Sequence, residues 1–349
     1  MIEMAPPQTT APGAAAGLAP PAMAVQGLRK TFRVSRHRRG ALAAVRNLFD
    51  RTSHEVRAVD GLSFAIARGE MVGCLGPNGA GKSTTVKMLT GILHPSTGEV
   101  RVLGMSPQRQ RTAVARRIGV VFGQRTQLWW DLPLIESLDL LRHIYRVPAE
   151  RFRANLATFR SVLDLDPFLE TPVRQLSLGQ RMRGDLAAAL LHDPEILYLD
   201  EPTIGLDVVA KQRIRDFLRR INREQGVTVL LTTHDMADVE QLCTRLLIID
   251  HGCLLYDGGL EEIRDRLGRE RTLVVDLAED APFPDGPLEV PYACEVRTTG
   301  PRRWLRFNRD DVSAADLIAS VASRYRLRDL TIEEPEIEAI VRRIYENGI

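Results

Sequence analysis

Short apolar runs alternate with longer amphipathic segments along most of the chain. The short runs, at 71–75, 118–122, 196–199 and 227–232, predict buried strands. The longer segments carry apolar side chains at helical spacing and predict helices at 134–145, 149–163, 177–191, 208–225 and 236–243. Strands that alternate with helices indicate a mainly parallel sheet covered on both faces, here interrupted by a helical insertion.

The two ends of the chain follow different patterns. Residues 1–23 are rich in Ala, Pro and Thr and lack the basic start and apolar run of a signal peptide, so we expect a disordered tail. Beyond about residue 268, strand-like and helical segments alternate around a linker rich in Pro, Gly and Asp and indicate a small α+β accessory domain. The predicted division is therefore a tail at 1–23, a main domain at 24–267 with its insertion at about 125–195, and a C-terminal domain at 268–349.

A basic segment, Arg33 to Arg57, separates a predicted strand at 23–32 from another at 58–66. Within it, Leu42, Val45, Leu48 and Phe49 fall on one side of a possible helix. Such a helix could lie on a membrane surface or on a partner. A solvated insertion between two strands explains the segment equally well, and the sequence leaves both interpretations open.

Composition narrows the classes of function. A formal net charge of +2 over 349 residues provides no reason to expect that the protein wraps nucleic acid. The four cysteines are far apart and form no C-x-x-C pair, which argues against a zinc site or a disulfide framework and suits a reducing cytosol. No window approaches the roughly 18 to 20 continuous apolar residues of a membrane span. If the protein works at a membrane, a separate protein must span it.

A glycine-rich stretch after the strand at 71–75 fills the G-x-x-x-x-G-K-[ST] pattern of a phosphate-binding loop. Glycines let backbone N–H groups point at a polyphosphate, and the helix that follows directs its positive end toward the same anion. We expect Lys82 to bridge the β- and γ-phosphates and the Ser83 hydroxyl to bind Mg²⁺. A glycine-rich turn without a ligand is the alternative, and the strand, loop and helix order disfavours it. The predicted ATP-binding residues of this stretch are Gly76, Pro77, Asn78, Gly79, Ala80, Gly81, Lys82, Ser83 and Thr84.

Two carboxylates end the apolar strand at 196–199. Asp200 is placed to bind Mg²⁺ opposite the loop hydroxyl. Successive side chains on a strand point to opposite faces, so Glu201 needs a turn of the chain, which Pro202 encourages, to reach the same site. We expect Glu201 to polarise the water that attacks the γ-phosphate.

The segment Leu176–Ser177–Leu178–Gly179–Gln180 resembles the signature sequence of ATP-binding cassette (ABC) ATPases, with Leu178 where that family often has Gly. The resemblance covers about residues 24 to 265. It implies an α/β P-loop NTPase fold with a parallel sheet core, an antiparallel β part and a helical insertion, here followed by the small C-terminal α+β domain. It also implies ATP and Mg²⁺ as cofactors. In that family Ser177, Gly179 and Gln180 would bind the ATP held by a second copy, so that two chains sandwich two nucleotides head to tail.

The remaining motifs of the ABC family are also matched. Phe32 stands where an aromatic ring stacks on adenine, although a single Phe could equally be part of the core. Gln124 resembles the glutamine that senses Mg²⁺ and the attacking water. Asp207 resembles the residue that couples the two sites across the dimer, and His234 resembles the histidine that contacts the γ-phosphate.

A narrower resemblance, carried by 123–133, 201–210 and the C-terminal tail, is to the ATPase subunits of bacterial ABC-2-type exporters. It implies a separate transmembrane permease and a peripheral location at the cytoplasmic face of the inner membrane. Trp129 and Trp130 would then anchor a permease helix, unless they are core of the insertion. The main alternative is a soluble ABC ATPase that acts on nucleic acid or ribosomes, which the near-neutral charge and single cassette disfavour. A P-loop metabolic kinase would leave the signature segment unexplained.

Overall fold

The structure, a computed structural model, describes residues 20–35, 53–123, 125–267, 269–278, 286–334 and 337–347. The strands are β1 (Met23–Ser35), β2 (Ser53–Ile66), β3 (Met71–Leu75), β4 (Thr97–Val102), β5 (Ile118–Phe122), β6 (Ile196–Asp200), β7 (Thr228–Thr232), β8 (Arg245–Asp250), β9 (Cys253–Gly259), β10 (Glu270–Leu277), β11 (Ala293–Thr299), β12 (Arg302–Asn308) and β13 (Leu327–Glu333). The helices are α1 (Lys82–Leu89), α2 (Arg111–Ala115), α3 (Leu134–Tyr145), α4 (Ala149–Leu163), α5 (Leu178–Leu190), α6 (Val208–Gln225), α7 (Met236–Leu242), α8 (Leu260–Leu267), α9 (Ala314–Arg324) and α10 (Ile337–Asn347).

A six-stranded sheet in the order β5-β6-β7-β3-β8-β9 forms the centre of the fold. Its first five strands are parallel, and β9 is an antiparallel edge. Every residue of β3 and β7 is buried, as expected for strands with helices on both faces. Because parallel strands end at one edge of the sheet, the chain segments that follow β3, β5, β6 and β7 lie together there.

A second, antiparallel sheet has the order β2-β1-β4. The buried side chains of β1 and β2 join those of β3 and α1 in one apolar cluster that includes Leu28, Leu62, Val72 and Met88. The expected class, a parallel core with an antiparallel part and a helical insertion, is therefore confirmed.

The helical insertion consists of α3, α4 and the first part of α5, and it packs against α6. Phe159 of α4 meets Phe217 of α6 edge to face, with ring centroids 6.3 Å apart. The bounds of α3, α4 and α6 agree with the helices predicted at 134–145, 149–163 and 208–225.

The C-terminal part has a four-stranded antiparallel sheet in the order β11-β12-β10-β13, covered by α9. Helix α10 packs elsewhere: Ile337, Ile340, Val341 and Ile344 belong to the apolar cluster of the main domain, together with Ile263 of α8. The last helix thus joins the two units that the predicted boundary at 268 separates. Among the described helices, each is too short or too polar to cross a membrane.

Some residues singled out in the sequence fall outside the described residues. These are Gln124, the tail at 1–19, and 36–52 of the basic segment.

Candidate functional site

The phosphate-binding loop connects β3 to α1 at the carboxyl edge of the central sheet. Its glycines are needed where the chain passes close to other backbone: a Cβ on Gly76 would lie 2.3 Å from the Ile249 carbonyl oxygen, and one on Gly81, at φ 105°, 2.4 Å from that of Ala58. The Lys82 Nζ donates hydrogen bonds to the carbonyls of Gly76 (2.5 Å) and Pro77 (3.1 Å). The ammonium group is therefore held within the loop that a polyphosphate would occupy.

Ser83 at the start of α1 meets Asp200 at the end of β6. The Ser83 Oγ donates to the Asp200 Oδ1 over 3.2 Å, and the Thr232 Oγ1 donates to the same carboxylate oxygen over 2.5 Å. Octahedral Mg²⁺ holds neighbouring oxygen ligands about 3.0 Å apart, given bonds of about 2.1 Å. The spacing and the hard oxygen donors of Ser83 and Asp200 therefore fit Mg²⁺. Within the described residues, no group of three or more His, Cys, Asp or Glu side chains is placed to hold a metal ion.

Burial keeps one thiol near this site protonated. Cys74, in β3, is buried below the loop. Desolvation raises the pKa of its thiol to about 12, partly offset by the positive charge of Lys82, while Asp200 raises it further. Cys74 is thus a small apolar residue of the sheet and not a nucleophile.

Glu201 sits in a left-handed turn directly after β6. Its φ is 54°, and its N–H donates to the Thr232 carbonyl over 2.9 Å. This turn brings the carboxylate to His234, whose Nδ1 lies 3.0 Å from the Glu201 Oε2. Gly123 allows the turn, since a Cβ there would lie 2.7 Å from the Asp200 carbonyl oxygen and 2.8 Å from that of Glu201. Such strain at a non-glycine residue is common where a side chain is held for chemistry.

The phosphate-binding loop and the ends of β5, β6 and β7 enclose one cleft of about 740 Å³, a size typical of small-molecule sites. Its walls contain the loop residues 78–84, both strand-end carboxylates and His234, together with Phe122, Gly123 and Arg125 on either side of position 124. The structure therefore brings together the predicted loop, Asp200, Glu201 and His234.

The signature residues lie outside this cleft. Ser177 is the N-cap of α5, where its Oγ accepts from the Gln180 N–H (3.2 Å) while the Gln180 Oε1 accepts from the Ser177 N–H (2.9 Å). Ser177 is exposed, and Gly179 and Gln180 are half-buried. Asp207 is likewise an N-cap, of α6, through a 2.8 Å bond from the Ala210 N–H.

Phe32 is also absent from the described walls of the cleft. Its ring is 38% exposed on β1, with the Lys30 ammonium 5.2 Å from its centroid. That exposure disfavours the interpretation of Phe32 as a core residue, and its role toward adenine stays a prediction. Trp129 and Trp130 are 39% and 51% exposed, which likewise disfavours a core role for them.

Sequence reasoning missed a buried polar network behind the site. Asp238 of α7 accepts hydrogen bonds from the Thr203 Oγ1 and, over 2.6 Å, from the Arg215 Nε of α6. It is fully buried, and Thr203 lies two residues after Glu201. The network therefore supports both Glu201 and the helix that follows His234. The three polar residues are distant in sequence, so no local signal could have identified them as partners.

Comparisons with known proteins agree with this arrangement. A family model described as ABC transporter matches residues 59–204. The chain is 36% identical over 208 residues to the ABC transporter ATP-binding protein NatA of Bacillus subtilis (strain 168), covering 60% of this chain and 84% of that protein. It is 39% identical over 219 residues to the daunorubicin resistance ATP-binding protein DrrA3 of Streptomyces coeruleorubidus, covering 63% and 69%. It is 35% identical over 272 residues to the Nod factor export ATP-binding protein I of Ralstonia nicotianae, covering 74% and 78%.

Solved structures with the same fold include an ATP-binding subunit of an ABC transporter, at a TM-score of 0.59 and 25% identity over 70% of this chain and 93% of that one. Another is a dimeric ATP-binding cassette in a post-hydrolysis state with ADP and Pi bound, at a TM-score of 0.58 and 27% identity over 68% and 98%.

Proposed function

The chain belongs to the ABC transporter family as an ATP-binding subunit, and from this premise we propose that it is the ATPase of an ABC-2-type exporter that drives a separate membrane permease. Relatives named for daunorubicin resistance and Nod factor export support the direction of transport. They do not favour the alternative of an ATPase for nucleic acid or ribosomes.

The observation that carries the proposed chemistry is the contact between Glu201 and His234 beside the phosphate loop. Glu201 is the general base: it accepts a proton from the water that attacks the γ-phosphorus, as the bond from phosphorus to the oxygen of the departing ADP breaks. The His234 Nδ1, 3.0 Å from the Glu201 Oε2, helps to hold that carboxylate in place. Lys82 neutralises charge on the β- and γ-phosphates.

Ser83 and Asp200 would hold Mg²⁺, which supplies charge neutralisation at the phosphates when bound. Thr232 fixes the Asp200 carboxylate through its 2.5 Å hydrogen bond. Gln124 would contact the same ion and the attacking water, as the family resemblance implies.

A second copy of the chain would complete each site. Ser177, Gly179 and Gln180, at the N-terminus of α5, do not line the cleft of their own chain, as expected if they bind the ATP of a partner. Asp207 would couple the two sites, and two exposed valines beside it, Val208 and Val209, provide apolar surface for contact between copies. Head-to-tail pairing then links ATP binding to closure and hydrolysis to reopening.

The permease would dock on the helical insertion. Trp129, Trp130, Leu140 and Ile144 are exposed there, at the start and along one side of α3. Aromatic anchors of this kind dominate the energetics of protein interfaces. Through this contact the chain would be peripheral at the cytoplasmic face of the inner membrane.

The test uses the Glu201→Gln variant, in which ATP should bind but not be hydrolysed, so that light scattering detects an ATP-dependent dimer. Adding Gly179→Asp should abolish that dimer, because the new carboxylate would face phosphate. The same change should leave the single chain folded, since a Cβ at Gly179 meets only Leu206 at 3.5 Å. Gly286→Asp, on open surface in the C-terminal part, is the matched control. A Glu201→Gln chain that stays monomeric with ATP, or a wild-type rate strictly proportional to concentration, would contradict the proposal.

A further inference from the structure

One buried carboxylate in the helical insertion has no part in the site described above. Asp185 lies in the middle of α5 and is only 5% exposed. Its Oδ1 accepts two hydrogen bonds, from the Thr126 Oγ1 (2.9 Å) and from the Gln127 N–H (3.1 Å). The Gln127 Nε2 also donates to the backbone carbonyl of Asp185 over 3.2 Å, so Gln127 is bonded to both the side chain and the backbone of Asp185.

The segment that Asp185 holds is continuous with the wall of the nucleotide cleft. Phe122, Gly123 and Arg125 line that cleft, and Thr126 and Gln127 follow directly. At its other end the same segment runs into the exposed Trp129 and Trp130. Any shift of 126–127 would therefore move one wall of the cleft.

The helix that provides Asp185 also presents the signature residues. Ser177 caps α5 eight positions earlier, about 12 Å along the helix axis. Close packing holds α5 against Leu128 and the start of α3. A Cβ on Gly184 would lie 2.9 Å from the Leu134 Cδ1 and 3.1 Å from the Leu128 Cδ1. One turn before Asp185, the Arg181 guanidinium lies 5.7 Å from the centre of the Trp130 ring. Helix α5 thus contacts both ends of segment 126–130, through Asp185 at 126–127 and through Arg181 at Trp130.

We propose that Asp185 is a positioning residue that fixes segment 126–127, which continues directly from the cleft wall, to helix α5 with its signature residues, so that both move as one body when two chains close on ATP. The proposal rests on the proposed function, because it requires α5 to act on the nucleotide of a second copy. Asp185 itself contacts neither nucleotide nor metal. Its loss should lower turnover and leave the binding of ATP to the single chain unchanged.

A purely structural role is the competing account, and substitutions of different chemistry separate the two. Asp185→Asn keeps an oxygen that can accept both hydrogen bonds, whereas Asp185→Leu removes the acceptor and leaves the Thr126 hydroxyl and the Gln127 N–H without it. Thr126→Val removes one of the two bonds from the other side. Asn155→Leu is a matched control in the same insertion: Asn155 of α4 is also buried and donates to the Leu191 carbonyl over 3.0 Å, at a distance from the cleft segment.

The experiment measures kcat, KM, the affinity of ATP for the single chain and thermal unfolding for each variant of the full chain. We expect Asp185→Leu to lower kcat by about tenfold or more with the ATP affinity within about twofold, since misplacement by about 1 Å can cost up to ~10²-fold. Thr126→Val should show a smaller loss of kcat, and Asp185→Asn should rescue most of it. Asn155→Leu should lower the unfolding temperature but leave the kcat of the folded protein unchanged.

Two results would overturn the proposal. One is a kcat for Asp185→Leu that falls only as far as its folded fraction, as for Asn155→Leu. The other is an equal loss in Asp185→Asn and Asp185→Leu, which would exclude the hydrogen bonds as the cause. If instead Gly179→Asp leaves the Glu201→Gln dimer intact, the proposed function fails, whatever the Asp185 variants show.

Discussion

The carboxyl edge of the central sheet and the outer surface of the helical insertion are built in opposite ways. At the sheet edge, Lys82, Asp200, Glu201 and His234 converge on one cleft within a single chain. On the insertion, Ser177, Trp129 and Trp130 stay exposed, and their proposed partners are other chains. The first region can therefore be tested in the isolated chain, whereas the second reveals its role only in an assembly.

The largest effect on activity is expected at the carboxyl edge of the central sheet. Glu201→Gln removes the proposed base and should lower kcat by about 10³-fold, within the usual range for general-base catalysis. Phosphate release at saturating ATP measures it. Glu240→Gln, in a half-exposed ion pair with Arg264, is the control and should retain full activity. Normal turnover in Glu201→Gln would show that the convergence at the sheet edge is not catalytic.

A substitution in the buried polar network of Thr203, Arg215 and Asp238 should lower the stability of the fold. Asp238→Leu leaves the buried Arg215 guanidinium with only its longer, 3.9 Å pair to Asp235 and should lower the free energy of unfolding by about 3 kcal/mol. Urea denaturation measures the change. Glu224→Leu, in an exposed pair with Arg220 on α6, should cost at most about 1 kcal/mol. Equal effects of the two substitutions would contradict the special role of the buried pair.

Asp185, between the cleft at the sheet edge and the helical insertion, should make the stability of the fold depend on pH. Burial raises the pKa of its carboxyl to about 6, partly offset by hydrogen bonds from Thr126 and Gln127 and by the charge of Arg181. The folded chain therefore binds a proton between about pH 4 and pH 6 that the unfolded chain does not, and the contribution of this group to stability falls as pH rises through that window. Relative to Asp185→Asn, the wild type should lose about 2 kcal/mol between pH 4 and pH 7. Denaturant unfolding of both chains across that range tests the sign, and parallel curves would contradict it.

Lys82→Ala tests binding rather than turnover at the sheet edge. Loss of the charge-assisted contacts to phosphate should weaken ATP binding by about 10²-fold. Calorimetric titration with ATP measures it. Lys87→Ala, further along the same helix, should have a smaller effect. Unchanged affinity in Lys82→Ala would remove the loop from the nucleotide site.

The smallest effect on the isolated chain is expected on the insertion. Replacing Trp129 and Trp130 together by Ala should change the ATPase rate of the isolated chain by less than about twofold, since both side chains are substantially exposed. In the presence of the permease, the same variant should lose transport coupling. A chain that fails to fold after this change would show that the pair supports the insertion itself.

Much of the fold was predictable because its local signals are strong. The bounds of α3, α4 and α6 follow from apolar spacing, with Pro133, Pro148 and Asp207 as their N-caps. Strand β9, helix α8 and strand β11 were missed. β9 is an edge strand that ends in two glycines, Gly258 and Gly259, which resemble a turn more than a strand.

The sequence by itself determined the phosphate loop, the strand-end carboxylates and the signature segment, because each is a contiguous run whose chemistry depends on neighbours in the chain. Only the tertiary structure decided what supports them. Thr232 reaches Asp200 across 32 positions, Asp238 reaches Thr203 across 35, and Asp185 reaches Thr126 across 59. A single polar residue in a helix or strand has no local pattern that reveals its partner, and burial, which makes such a hydrogen bond decisive, arises only when distant segments pack together.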